Sequence, residues 1–90
     1  MITKPPITVL YFANASTVLG ITSELVDLPT VPFELSSLRE LLVSRHPNTG
    51  LDVILESSQW SVDEEMVFGD MAVSLTGGEE VAVICPVSGG

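Results

Sequence analysis

Few side chains in this chain are equipped for chemistry. The single histidine, His46, stands directly before Pro47. General-base work would need partners to orient it, whereas a histidine at a helix end interacts favourably with helix carbonyls. The single cysteine, Cys85, lies in Val83-Ile84-Cys85-Pro86, with no adjacent cation or helix start to lower its thiol pKa, and reads as a small hydrophobe. Asp63, Glu64 and Glu65 form an acidic run without the ligand spacing or glycine of a calcium loop, so a solvated turn is expected there and no metal site. Gly77-Gly78 lacks the following lysine and helix of a phosphate-cradling loop and is expected to form a hairpin turn.

What remains is Pro86-Val87-Ser88-Gly89-Gly90. A terminal carboxylate at Gly90 is anionic at neutral pH and a poor electrophile. Converted to an adenylate, it could be displaced by sulfide, a thiol or an amine. Two glycines suit such a role, because without Cβ atoms they can thread a narrow channel and take backbone angles closed to other residues. On the pair alone, an ordinary flexible end is the better reading.

The elements that would position this segment can be read from hydrophobic periodicity. Ile7 to Phe12 is rich in β-branched and aromatic residues and reads as a strand covered on both faces. Ala13 to Gly20 reads as a loop, and Ile21 to Leu28 as a second, more polar strand. Leu35, Leu38, Leu41 and Leu42 recur at three- and four-residue steps, the signature of one apolar helix face. Ser37 and Glu40 match a capping box, and His46-Pro47 stops the helix, placing it at about residues 37–45. Leu51 to Glu56 is ambiguous between a helical turn and a strand. Gln59 to Val62 and Met66 to Phe68 read as strands around the acidic turn, Met71 to Leu75 as a brief strand, and Val81 to Cys85 as the last strand, closed by Pro86. One helix among these strands predicts an α+β domain over residues 1–86, a β-grasp roll with the helix on one face of a mixed sheet, and a protruding tail at 87–90.

Composition narrows the function. Ninety residues, of which 46% are hydrophobic and 17% charged, suit one folded domain and not a disordered chain. Twelve acidic residues oppose only Lys4, Arg39 and Arg45. That field repels phosphate backbones and anionic lipids, so no nucleic acid and no membrane surface is expected as partner; a basic protein surface is favoured, and acidity that serves only to keep the domain soluble explains the charge equally well. One cysteine excludes an internal disulfide and fits a reducing compartment. No run approaches the roughly 20 apolar residues of a membrane span, and residues 1–6 lack a signal-peptide pattern. Cytosol is the expected location.

Three stretches taken together resemble a known family. Val9-Leu10-Tyr11-Phe12-Ala13, Arg45-His46-Pro47, and the run from Gly77-Gly78-Glu79-Glu80-Val81 through Pro86-Val87-Ser88-Gly89-Gly90 look like the small subunit of molybdopterin synthase. The likeness covers nearly the whole chain. It departs at Cys85, where the family usually has a proline, and at Asp63 and Met66, where asparagine and tyrosine are usual.

The resemblance implies a ubiquitin-like β-grasp fold and a sulfur carrier in molybdenum cofactor biosynthesis. Gly90 would be adenylated by a ubiquitin-activating-type adenylyltransferase and converted to a thiocarboxylate by a sulfurtransferase. The tail would then enter the large synthase subunit, where cyclic pyranopterin monophosphate becomes molybdopterin. Ile84, Pro86, Val87 and Ser88 would line the entry to that partner's active site, with Gly89 providing clearance. No bound cofactor is implied, only the transient glycyl adenylate and the glycyl thiocarboxylate. The family also suggests a heterotetramer of two small and two large subunits, the catalytic side chains belonging mostly to the large one. Sulfur carriers of thiamin synthesis or tRNA thiolation, and ubiquitin-like modifiers, share the fold and the diglycine. Pro86-Val87-Ser88 favours the molybdopterin family.

Overall fold

The computed structural model describes residues 5–67 and 73–84. In chain order the elements are β1 (Ile7–Tyr11), α1 (Asn14–Leu19), β2 (Ser23–Val26), β3 (Phe33–Glu34), α2 (Leu35–Arg45), α3 (Leu51–Ser57), β4 (Gln59–Val62), β5 (Glu65–Val67), β6 (Ser74–Leu75) and β7 (Glu80–Ile84). Five strands form one mixed sheet in the order β2-β1-β7-β4-β5, and β3 pairs with β6 in a separate two-stranded sheet. β1 and β7 run parallel, with Val9 opposite Val81 and Tyr11 opposite Val83. The other pairings of the main sheet are antiparallel. The α+β, β-grasp expectation therefore holds, with α2 as the longest helix.

Strand alternation sends successive side chains to opposite faces. Ile7, Val9, Tyr11, Val26, Val81 and Val83 enter a core completed by Leu35, Leu38 and Leu42 of α2 and by Leu51 and Leu55 of α3. Leu41 packs against it, half-buried. The leucine spacing thus reports the buried helix face correctly. α2 ends at Arg45 with His46 as its cap, because the Pro47 ring disfavours a helical conformation at the residue before it. Leu51 to Glu56, ambiguous in sequence, is helical.

Several local readings need correction. The expected loop at Ala13 to Gly20 contains α1, closed by the left-handed Gly20, whose N–H donates to the Ser16 carbonyl. Ser37 and Glu40 make no capping box: α2 starts at Leu35, no side chain caps it, and the Leu35 N–H donates to the Val73 carbonyl at 2.9 Å. Contact with the neighbouring strand segment sets this start two residues ahead of the sequence signal.

Gly77-Gly78 is not a hairpin turn, because the strands it joins belong to different sheets. It packs on the start of the chain instead. The Gly78 N–H donates to the Pro6 carbonyl, and a Cβ on Gly77, at φ +113°, would lie 2.6 Å from the Pro5 carbonyl oxygen. The acidic turn is two residues, not three, since Val62 pairs directly with Glu65. Asp63 and Glu64 both take positive φ, as a tight twisted hairpin requires. The expected second strand shortens to β2, and β3 is an addition. Phe68, Met71, Cys85 and the segment Pro86 to Gly90 lie outside the described residues.

Candidate functional site

Of the residues expected to meet a partner, Ile84 is described. It closes β7, half-buried, in register with Gln59 of β4. Because β7 lies between β1 and β4, hydrogen bonds on both sides fix the strand that leads to the diglycine. Parallel pairing brings the end of β7 beside the end of β1, where Phe12 is 49% exposed.

The face of the sheet turned away from the helices is mixed, with Leu10, Leu25, Ala82 and Ile84 set among Thr8, Ser23, Gln59 and Ser61. Leu10 and Ala82 face each other across β1 and β7, apart from the cluster under the helices, with Leu10 half-buried and Ala82 buried. Ala82 is opposite Ser61, which is opposite Met66. Leu25, on the edge strand β2, is 63% exposed. Ile84 belongs to the same face by alternation with Ala82. Glu80, two residues before Ala82, is exposed on it. The apolar members of this face, with the exposed Leu25 at its edge, could contribute to an association surface.

A polar cluster that the sequence did not signal holds the opposite side of β2. Glu24 is only 12% exposed at its side chain. One carboxylate oxygen accepts from Arg45 Nη2 at 3.0 Å, and the other lies 2.7 Å from His46 Nε2 and accepts from the Tyr11 hydroxyl. The Tyr11 and His46 rings meet edge to face at 6.3 Å. Burial pushes the Glu24 carboxyl up, but hydrogen bonds from Tyr11, His46 and Arg45 outweigh it and hold the group below its ordinary value. Burial, then the Glu24 contact, keeps the Tyr11 hydroxyl protonated far beyond the usual phenol range. His46 therefore anchors the end of α2 to β2: its backbone N–H meets helix carbonyls, while its ring meets a carboxylate. The arrangement is structural, with every member turned toward another.

Two more carboxylates secure the start of β7. Glu79 accepts from the backbone N–H groups of Thr76 and Gly77 at 2.8 and 2.7 Å; burial pushes its carboxyl up, but these bonds and those from the Glu79 N–H and the Thr76 hydroxyl together outweigh it and hold the group below its ordinary value. Asp63 accepts from the Glu80 N–H at 2.9 Å and donates its own N–H to the Glu80 carbonyl. The acidic turn is thus tied to the central strand. Among the described residues no group of three His, Cys, Asp or Glu side chains could hold a metal ion, and no helix is long and apolar enough to cross a membrane.

The mixed five-stranded sheet, its last strand central and α2 laid across one face, defines a ubiquitin-like β-grasp protein. The fold is similar to that of small archaeal modifier protein 1 from Haloferax volcanii, with a TM-score of 0.78 at 21% identity, covering 94% of this chain and 99% of that one. It is also similar to a structure described as a complex of subunits 1 and 2 of the molybdopterin-converting factor from Helicobacter pylori, with a TM-score of 0.64 at 18% identity, covering 94% of this chain and 99% of that one. No family model matches the chain. In sequence it is 44% identical over 88 residues to the molybdopterin synthase sulfur carrier subunit of Mycosarcoma maydis, covering 96% of this chain and 95% of the relative. The chain belongs to the family of molybdopterin synthase sulfur carrier subunits.

Proposed function

We propose that this protein carries sulfur in molybdenum cofactor biosynthesis, with the carboxyl of Gly90 as its working group. An adenylyltransferase of the ubiquitin-activating type joins that carboxyl to AMP, releasing pyrophosphate from ATP. A sulfur donor then displaces AMP to leave a thiocarboxylate. Within molybdopterin synthase the sulfur passes to cyclic pyranopterin monophosphate, giving molybdopterin. The adenylate and the thiocarboxylate are covalent states of Gly90, and the reading requires no resident cofactor. The cytosol is its proposed location.

The observation that carries this reading is the 44% identity, over nearly the whole chain, with a relative named as a sulfur carrier subunit. The fold supports it in two ways. β7 forms a rigid central base up to Ile84, so the six residues from Cys85 to Gly90 start from a fixed point. The apolar residues Leu10, Ala82 and Ile84, on a body with an excess of nine negative charges, suit a partner with an apolar patch and a basic rim. The large synthase subunit is the proposed occupant, in keeping with the subunit 1 and 2 complex of the Helicobacter pylori relative in fold. Pro86, Val87, Ser88 and Gly89 are its proposed tail contacts, together with Ile84, in an assembly of two small and two large subunits.

Intact mass after incubation with the activating enzyme, ATP and a sulfur donor tests the assignment. The expected product has one oxygen replaced by sulfur. An isopeptide-linked adduct as the main product would instead identify a protein modifier. Deleting Gly90 is expected to abolish molybdopterin formation with purified large subunit while leaving the melting temperature unchanged. Full activity of that deletion would overturn the role of Gly90.

A further inference from the structure

A chain that presents an activated carboxyl is exposed to its own nucleophiles, and this one is nearly devoid of amines, the kind that closes an irreversible amide; its one thiol, Cys85, would give a thioester that sulfide or another thiol can still displace. Lys4 is its only lysine. From residue 5 onward there is no side-chain amine, although Lys is ordinarily among the commonest residues of soluble domains. The two remaining strong cations are arginines, both engaged by acidic partners. Arg45 Nη2 is 3.0 Å from Glu24, and Arg39 Nη2 is 3.8 Å from Glu56 and donates to the Asp52 carbonyl. Guanidinium stays protonated and is no nucleophile at neutral pH.

The placement of the uncharged residues matters as much as the count. Six residues follow Ile84 and span at most roughly 20 Å when extended. They start beside the end of β1, so the surface within their reach includes the α1 start and the β2 start, which meet Tyr11 and Phe12 around a shallow cleft lined by Ser16, Thr22 and Ser23. Asn14 opens α1, and Gln59 faces Ile84 across the ladder. Hydroxyls and amides, which are weak nucleophiles, occupy positions where an exposed surface would ordinarily carry lysines as well.

We infer that this amine-poor surface is a chemical safeguard, protecting an adenylate at Gly90 from amide formation with the carrier itself or with another copy of it. The inference rests on the Gly90 reading above. In the reaction avoided, a neutral lysine Nζ attacks the Gly90 carbonyl carbon and a C–N bond forms. The C–O bond to AMP breaks, AMP leaves with the electron pair, and the amine proton passes to water. The result would be a dead-end amide, with the sulfur acceptor consumed.

The test installs an amine and pairs it with a charge-matched control. Thr22→Lys and Thr22→Arg alter an exposed side chain beside the end of β1, and Val53→Lys and Val53→Arg alter one on α3 that is 64% exposed. Each variant is first matched to the parent by thermal unfolding, then incubated with the activating enzyme and ATP without a sulfur donor. Thr22→Lys is expected to lose one water by intact mass, or to form a covalent dimer, through a bond that survives thiol and hydroxylamine. Val53→Lys is expected to give the dimer. The parent and both arginine variants, which keep Lys4 as their one side-chain amine, are expected to give at most a minor dimer. An amide yield from the parent as high as from the lysine variants, or none from either lysine variant, would overturn the safeguard. Exchange of labelled pyrophosphate into ATP separates the two levels: no exchange overturns the Gly90 reading itself, whereas exchange without lysine-dependent adducts overturns this inference alone.

Discussion

Along β1 and β7 neighbouring residues face opposite ways and meet different fates. Ile7, Val9, Tyr11, Val81 and Val83 lie under the helices and are buried essentially completely, while Leu10 and Ile84 remain half-buried outside the core. Both sets are apolar, so hydrophobicity alone does not say which face the domain covers. What differs is the supply of cover, because α2 and α3 together finish one face and leave the other to be finished by something else. The first face makes the fold, and the second is available for association.

That contrast can be broken at the covered face first. Leu42→Ala removes a fully buried side chain of α2 and is expected to cost about 2–5 kcal/mol of stability, measured by chemical denaturation. A cost near zero would mean that the helix does not cover the sheet as described.

Glu24 at the edge of that face gives the next effect. Glu24→Gln is expected to cost about 1–3 kcal/mol at neutral pH, through weakened bonds to Tyr11, Arg45 and His46. Because folding holds this carboxyl below its ordinary value of 4.5, its contribution is fully present above that value and is lost as pH falls through the lower folded value. Denaturation curves of parent and variant should therefore converge in acid. A gap that widens below pH 4.5 would reverse the assigned sign.

The open face is expected to separate binding from folding. Leu25→Ser should leave stability within about 0.5 kcal/mol, yet weaken association with the large subunit by about tenfold. Calorimetric titration beside a thermal melt reads both quantities, and unchanged affinity would remove Leu25 from the interface. The smallest effect belongs to the acidic turn. Asp63→Asn keeps an acceptor for the Glu80 N–H and tolerates the positive φ, so a change below about 0.5 kcal/mol is expected. Asp63→Ala, which loses both advantages, should cost about 1 kcal/mol.

Long-period signals in the sequence were reliable, and features depending on distant residues were not. The leucine spacing of α2 and the β-rich runs at Ile7 and Val81 each carry their own pattern, so the layer arrangement could be read in advance. α1 has six residues, several of them polar Asn, Ser and Thr, and too few turns for intrinsic stability. It is held by burial of Ala15 and by contact with α3. The pair Gly77-Gly78 looked like a hairpin because turn chemistry is local, whereas the choice of partner strand is not. Glu24 was one acid among twelve, and its partners lie 13, 21 and 22 residues away. The open face was misread: Ile7 to Phe12 looks covered on both faces, yet only Ile7, Val9 and Tyr11 are in the core, and seeing the other face needs the register, since Leu10 and Ala82 are 72 residues apart in sequence and adjacent in the sheet.

The central place of β7 has a consequence for synthesis. β1 and β2 can pair early, and β4 with β5, but these two hairpins have no shared ladder until residues 80–84 are inserted between them. Stable closure must therefore wait until the ribosome has passed the last strand, and a nascent chain aborted before that point would expose two unfinished sheet halves to proteolysis. Folding thus acts as a proofreader of length: a molecule that has passed it has been translated to within six residues of Gly90.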